Sequence, residues 1–329
     1  MFIYPVNVLH TDPSPKKGGG GEKMIQYDEL SIGRELGRGG FGVVYQGTWR
    51  MTDVAVKELL LGQLTDDALQ EFEAEAQTMK ELRHPNIVQF LGYCILPRPC
   101  IVMEYMSRGS LHQLLRNRQA EILWDVRMRI ALDITRGLAY LHAENIVHRD
   151  IRSMNVLLAE GRACLADFGL ARVKTETLAV STGSSQAAGT LRWMAPELFS
   201  PRAVYTRKSD MYSLGWTLWE LASRRIPFEN AATNDLIPMW VREGEREDIP
   251  QDCPDRLASV IKDCWHGDPT RRPEVEAVVL VLRPGDAQGN ISAECSVPAV
   301  ATPPPPSESL PYDILSCECL LYRSFSGEE

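Results

Sequence analysis

Two short stretches of the sequence carry hard polar groups inside apolar surroundings. The segment "IVHRDIRSMNVLL" sets His148, Arg149 and Asp150 between Ile146-Val147 and Ile151, then runs through Asn155 into more apolar residues; "LADFGLA" carries Asp167. Charged groups are seldom buried without partners, so each stretch reads as a loop at the rim of a core or as a site that a ligand completes. A carboxylate such as Asp150 can orient or deprotonate an attacking hydroxyl. Asn155 and Asp167 offer the hard oxygens that magnesium (Mg2+) takes alongside phosphate oxygens. Asp and Asn also form turns readily, and capped turns remain the alternative for any one of these loops taken alone.

Two further stretches have residues suited to phosphate. In "LGRGGFGVVYQG", Gly37, Gly39 and Gly42 separate two strand-like runs, so they sit at a hairpin rather than between a strand and a helix. That context disfavours a dinucleotide-binding fold. Glycines there let backbone N–H groups approach phosphate oxygens, although a plain tight turn would use them equally well. In "DVAVKEL", Lys57 shares a strand face with Ala55, while Val54 and Val56 point the other way. An inward lysine is costly unless it meets an anion. Glu75, on or beside the apolar stripe of a following helix, is one candidate, and a solvated Lys57 with a flanking Glu75 is the other.

These groups must be held by elements of two kinds. Residues 30 to 60 and 86 to 105 contain short β-branched and aromatic runs bounded by Gly and Pro, which predicts strands. One helix interrupts them between Asp67 and Arg83, where Leu69, Phe72, Ala76, Met79 and Leu82 recur at three- and four-residue spacing. Beyond Gly109 the pattern is mostly helical. Residues 124 to 143 are amphipathic, and "MYSLGWTLWELA" at 211 to 222 is apolar nearly all round, as a buried central helix would be. The last apolar run, "VEAVVLVLRPG", is short enough to leave its helix open.

The ends have another composition. Residues 1 to 24 hold three prolines and the four glycines at 18 to 21, which predicts a flexible lead-in. From residue 284 to 329 seven acids face one base, Arg323, in a Pro-rich stretch expected to be disordered. The chain is 329 residues long with a net charge of −9, which argues against a general nucleic-acid binder. Eight scattered cysteines without metal-ligand spacing suggest a reducing compartment. No uncharged apolar stretch approaches the ~18 residues of a membrane span, so a cytoplasmic protein is expected.

Taken in order, "GRGGFGVV", "VAVK", Glu75, "HRDIRSMN", "DFG" and the "APE" at 195 to 197 resemble the full motif set of a eukaryotic-type protein kinase, over about residues 30 to 282. The resemblance implies an α+β, two-lobed protein kinase fold: a small β-rich N-lobe with one regulatory helix (about 25 to 106) and a larger, mainly α-helical C-lobe (about 107 to 283). It implies ATP and Mg2+ as cofactors. Gly37, Gly39, Gly42 and Val44 would cover ATP, Ala55 would lie beside the adenine, and Lys57 would hold the α and β phosphates and pair with Glu75. Met103 matches the gatekeeper position, and Glu104 to Met106 match the hinge whose backbone bonds adenine. Asp150 matches the catalytic base, with Asn155 and Asp167 as metal ligands. Arg149 would meet a phosphate on the activation segment, Glu197 would pair with Arg272, and Asp210 would anchor the catalytic loop.

The implied reaction is transfer of the γ-phosphoryl group of ATP to a hydroxyl of a protein substrate. Thr190 in "GTLRWMAPE" is similar to the threonine that serine/threonine kinases keep near the base. Arg152 departs from their usual lysine and is found in some tyrosine kinases, though Ser153-Met154 lacks the paired small residues of that class. Serine/threonine transfer is expected, with tyrosine or dual specificity, or a catalytically silent scaffold, as alternatives. Other motifs look most like the tyrosine-kinase-like branch, which includes the Raf and mixed-lineage kinases and amoebal and plant relatives. Thr175, Thr177, Ser181, Thr182, Ser184 and Ser185 could accept a regulatory phosphate that Arg149 binds. Pro303 to Pro306 could dock an SH3-like module or serve as a linker, and Cys317 and Cys319 could be acylated.

Overall fold

The structure is a computed structural model that describes residues 24–39, 42–59, 72, 76, 79–167, 190–200 and 203–284. Expectations for the lead-in, for Glu75, for the six hydroxyl residues after Asp167 and for the Pro-rich tail fall outside these residues.

The amino-terminal lobe is one antiparallel sheet. Its strands are β1 (Leu30–Gly39), β2 (Gly42–Trp49), β3 (Thr52–Leu59), β4 (Phe90–Cys94) and β5 (Cys100–Glu104), in the order β1-β2-β3-β5-β4. The period-two alternation expected of β3 is present. Val54 and Val56 are fully buried in one apolar layer with Leu30, Cys94 and Val102, whereas Ala55 and Lys57 face the opposite side. The chain before β1 closes the outer layer: Ile25 is buried there and its N–H donates to the Tyr93 carbonyl at 2.8 Å. On the inner side, Phe72, Ala76 and Met79 are helical and buried, and Phe72 meets Tyr93 edge to face. These are stripe residues of the expected helix.

The carboxy-terminal lobe contains α1 (Leu111–Arg116), α2 (Trp124–Ala143), α3 (Arg207–Ser223), α4 (Leu236–Glu243), α5 (Asp255–Cys264) and α6 (Val275–Leu282). Local chemistry starts several of these. Ser110 with Gln113, and Thr206 with Ser209, form reciprocal caps that satisfy the first N–H groups of α1 and α3. The left-open last helix does form, because Val275, Val278, Val279 and Leu282 bury one face.

The lobe is mainly helical, as expected, with one short pair of strands that the sequence reading did not place. Val156–Ala159 (β6) pairs antiparallel with Arg162–Leu165 (β7). Four-residue apolar runs carry too little periodicity to separate strand from helix, and the turn at Gly161 (φ +73°) is what folds them together.

The central helix α3 is buried on nearly all sides. Trp216 packs against Trp265 and Phe228 at centroid distances of 4.7 and 4.8 Å. Gly215 permits this approach, since a Cβ there would lie 2.9 Å from the Trp265 nitrogen. Truncating such a buried tryptophan to alanine costs about 3–5 kcal/mol, which makes α3 the rigid base for the loops above it. Among the described residues no helix is long and apolar enough to cross a membrane.

Candidate active site

Between the lobes lies a cleft of about 380 Å³. Leu36, Gly37, Val44, Ala55 and Lys57 contribute its upper wall. Met103 to Met106 close the back, and Asn155, Leu157, Ala166 and Asp167 form the floor. Every residue expected around the nucleotide lines it except Gly39 and Gly42, which pair with each other across the β1–β2 turn. The space beside Gly42 is filled by protein: a Cβ there would sit 2.1 Å from the Glu58 carbonyl oxygen, so close strand approach alone requires glycine.

Lys57 is buried by its place on β3, and its Nζ lies 2.5 Å from Asp167 Oδ1. Asp167 follows β7 with φ +64°, a strained conformation for a residue with a side chain. Strain of this kind persists only where surrounding bonds enforce it. Here the Ala166 N–H is held by the Asn155 carbonyl at 2.9 Å, which fixes the turn that brings the Asp167 carboxylate to the cleft floor.

The loop between α2 and β6 is built on Asp210 at the start of α3. Asp210 is buried, and its carboxylate accepts the backbone N–H groups of His148 and Arg149, both at 2.8 Å. His142 Nε2 lies 2.9 Å from the same carboxylate. This clamp holds Arg149 at φ +69° and so turns Asp150 outward. Asn155 Nδ2 donates to the Asp150 carboxylate at 2.8 Å and to its carbonyl at 2.7 Å, and Arg152 Nε approaches the other carboxylate oxygen at 3.2 Å. Asp150 and Arg149 share a small pocket with Thr190, Trp193, Leu198 and Tyr205. The Arg149 guanidinium lies over the Tyr205 ring at 5.9 Å, and burial pushes the Tyr205 phenol up from its ordinary pKa.

Glu197 and Arg272 form a two-pronged pair at 2.7 and 2.8 Å, with the arginine side chain fully buried. Sequence reasoning missed a second buried acid. Glu220 on α3 accepts from Ser153 Oγ at 2.7 Å, Ser153 N at 3.3 Å and Trp193 Nε1 at 2.8 Å. Burial pushes its carboxyl up to about 7. The signal was available, since Glu220 is the one acid within the apolar run of the central helix.

The cleft fits a nucleotide. Its apolar walls suit a flat heteroaromatic ring, and the Met106 N–H, which makes no hydrogen bond among the described residues, provides a donor at its edge. The buried Lys57 ammonium suits phosphate. One amide oxygen on Asn155 and one carboxylate on Asp167 form a small, hard donor set of the kind magnesium takes, with phosphate oxygens and water completing it.

Comparison with known proteins agrees with this geometry. Residues 30–282 match the family model described as protein tyrosine and serine/threonine kinase. The probable serine/threonine-protein kinase drkD of Dictyostelium discoideum is 39% identical over 79% of the chain. The putative serine/threonine-protein kinase/receptor R831 of Acanthamoeba polyphaga mimivirus is also 39% identical over 79%, and the serine/threonine-protein kinase STY46 of Arabidopsis thaliana is 36% identical over 79%. The matched regions span only 20%, 16% and 44% of these relatives' own lengths. With a sheet lobe over a helical lobe and a cleft between them, the chain belongs to the protein tyrosine and serine/threonine kinase family and has the two-lobed fold of eukaryotic-type protein kinases.

Proposed function

We propose that the chain is an ATP-dependent protein serine/threonine kinase whose catalytic unit spans about residues 25 to 283. The observation that carries this reading is the convergence on Asp150. Its carboxylate is oriented by Asn155 and Arg152, opens into a pocket shared with Thr190, and sits on the loop leading to the cleft that holds Lys57 and Asp167.

The residues divide the work. Met103 and the Glu104 to Met106 backbone would hold adenine under Val44 and Ala55, and Gly37 and Lys57 would hold the phosphates. Asn155 and Asp167 would hold magnesium, which neutralises charge on a transferring phosphoryl group when bound. Asp150 would orient the acceptor hydroxyl toward the γ-phosphorus and accept its proton as the new P–O bond forms and the bond to the β-phosphate oxygen breaks, releasing ADP. Positioning and charge complementarity supply most of the acceleration in such a site.

Arg152 beside Asp150 gives tyrosine transfer a specific foothold, so the test must read the acceptor. Purified protein is incubated with labelled ATP, magnesium and dephosphorylated casein, beside an Asp150→Asn variant, and the phosphoamino acids are separated. Label on serine or threonine that disappears in the variant is expected. Label on tyrosine would transfer the assignment to the second specificity, and nucleotide binding without any label would point to a silent scaffold.

A further inference from the structure

Glu220 lies outside the cleft and has no part in the chemistry above, yet it is an acid on a helix buried on nearly all sides, 1% exposed. A buried ionisable group is costly, and a well-packed apolar residue of similar size usually serves stability as well or better. Its presence is therefore explained by its partners. They come from two segments far apart in the sequence.

Ser153 belongs to the short turn three residues after Asp150. Trp193 belongs to the short turn three residues after Thr190. Asp150, Thr190 and Trp193 line the same small pocket, so the two segments are opposite walls of the place where an acceptor hydroxyl would enter. Glu220 sits beneath both. Its Oε1 accepts the Ser153 hydroxyl at 2.7 Å, while Oε2 accepts the Trp193 indole N–H at 2.8 Å and the Ser153 backbone N–H at 3.3 Å. Three donors converge on two oxygens, and only a carboxylate accepts at both.

We propose that Glu220 is a positioning residue for the protein acceptor, fixing the separation of the Asp150 wall from the Thr190–Trp193 wall by bridging Ser153 and Trp193. This rests on the kinase reading and deepens it. None of the three bonds is made to Lys57, Asp167 or the hinge, although the bridged turn continues through Met154 and Asn155 to the cleft floor. Loss of the bridge should loosen acceptor binding and leave ATP binding in place.

The test compares wild type, Glu220→Gln and Trp193→Phe, each as the 329-residue chain, with casein as acceptor, measuring KM for casein, KM for ATP and kcat. Glutamine keeps the shape but turns one acceptor oxygen into a donor facing another donor. Its kcat/KM for casein is expected to fall about tenfold, the scale of one lost hydrogen bond to a charged group, with KM for ATP moving less than twofold. Trp193→Phe, which deletes the indole donor together with part of the ring, should shift casein in the same direction by a smaller factor. Unchanged constants in both variants would overturn the proposal, as would equal losses toward casein and ATP, the mark of a merely structural role. If Glu220→Gln does not fold, the same split read on Trp193→Phe decides. Wild type that binds ATP but transfers nothing to casein would overturn the kinase reading and this inference with it, an outcome distinct from normal transfer by both variants.

Discussion

The side-chain amide of Asn155 donates to both the carboxylate and the carbonyl of Asp150, at 2.8 and 2.7 Å. Both amide hydrogens are thereby directed at Asp150, which leaves the amide oxygen for the cleft floor that Asn155 also lines. Asn155→Asp keeps the shape and inverts that logic. Two carboxylates would face each other at hydrogen-bond distance, and one of them would have to hold a proton. Transfer to casein is expected to fall by about 100-fold or more, from a misdirected base and a lost donor together. A variant within threefold of wild type would remove Asn155 from the site.

Lys57 and Asp167 make a second test, because Nζ and Oδ1 approach to 2.5 Å between the lobes. Lys57→Met preserves an unbranched stem on β3 and deletes the charge. The rate of phosphoryl transfer should drop by roughly two to three orders of magnitude, as expected when a buried phosphate-facing cation is removed. The melting temperature should change little, since the buried methylenes are replaced by an equally long apolar chain. A large fall in stability with the rate per folded molecule preserved would make Lys57 a structural residue.

The same pair shows how far the sequence could be read. Alternation in "DVAVKEL" was enough to place Ala55 and Lys57 on one face and Val54 and Val56 on the other, because a pleated strand leaves no other choice. Asp210 and the Glu197–Arg272 pair were legible only through the resemblance; nothing local in the sequence brings Asp210 to the N–H groups of His148 and Arg149. Arg152 was weighed only as a clue to specificity, and its contact with Asp150 depends on how the loop turns at Arg149. The β6–β7 pair and the role of Glu220 were missed for a common reason. Glu220 stood out as the one acid of an apolar run, but its partners, like the β6–β7 pairing, depend on tertiary contacts that four-residue runs and helical periodicity do not encode.

Glu197 and Arg272 supply a stability prediction. The arginine side chain is fully buried, and its guanidinium also donates to the carbonyls of His266 and Lys208, both at 2.8 Å. Glu197→Gln removes the only carboxylate among the described residues that pairs with it and leaves a buried cation supported by neutral acceptors alone. Breaking a buried pair from one side costs about 3–5 kcal/mol; the partly exposed Glu197 places this case at the lower end. Urea unfolding should show a lowered midpoint with an unchanged slope. A shift below about 1 kcal/mol would mean that the carbonyl acceptors suffice.

Glu220 supplies a pH prediction whose sign is fixed by the direction of its shift. Burial is the main cause that raises its carboxyl to about 7, opposed by the hydrogen bonds from Ser153 and Trp193 and by the charge of Arg116. The folded protein therefore holds this proton more tightly than the unfolded chain does. Its contribution to stability is full below about pH 4.5 and is lost as pH rises to about 7, by ~3 kcal/mol at 1.36 kcal/mol per unit. Glutamine does not titrate. The stability of Glu220→Gln relative to wild type should accordingly rise between pH 5 and pH 8 by about that amount, whatever the offset caused by its altered hydrogen bonds. His112 lies nearby, with its Nδ1 at 3.4 Å from the Ser153 hydroxyl, and burial lowers its pKa. That group acts with the opposite sign, since a depressed histidine costs the fold stability as pH falls below about 6.5. Recording the difference between the two proteins at each pH cancels it. A difference that stays flat from pH 5 to pH 8 would show that Glu220 is ionised throughout and that its three donors outweigh its burial.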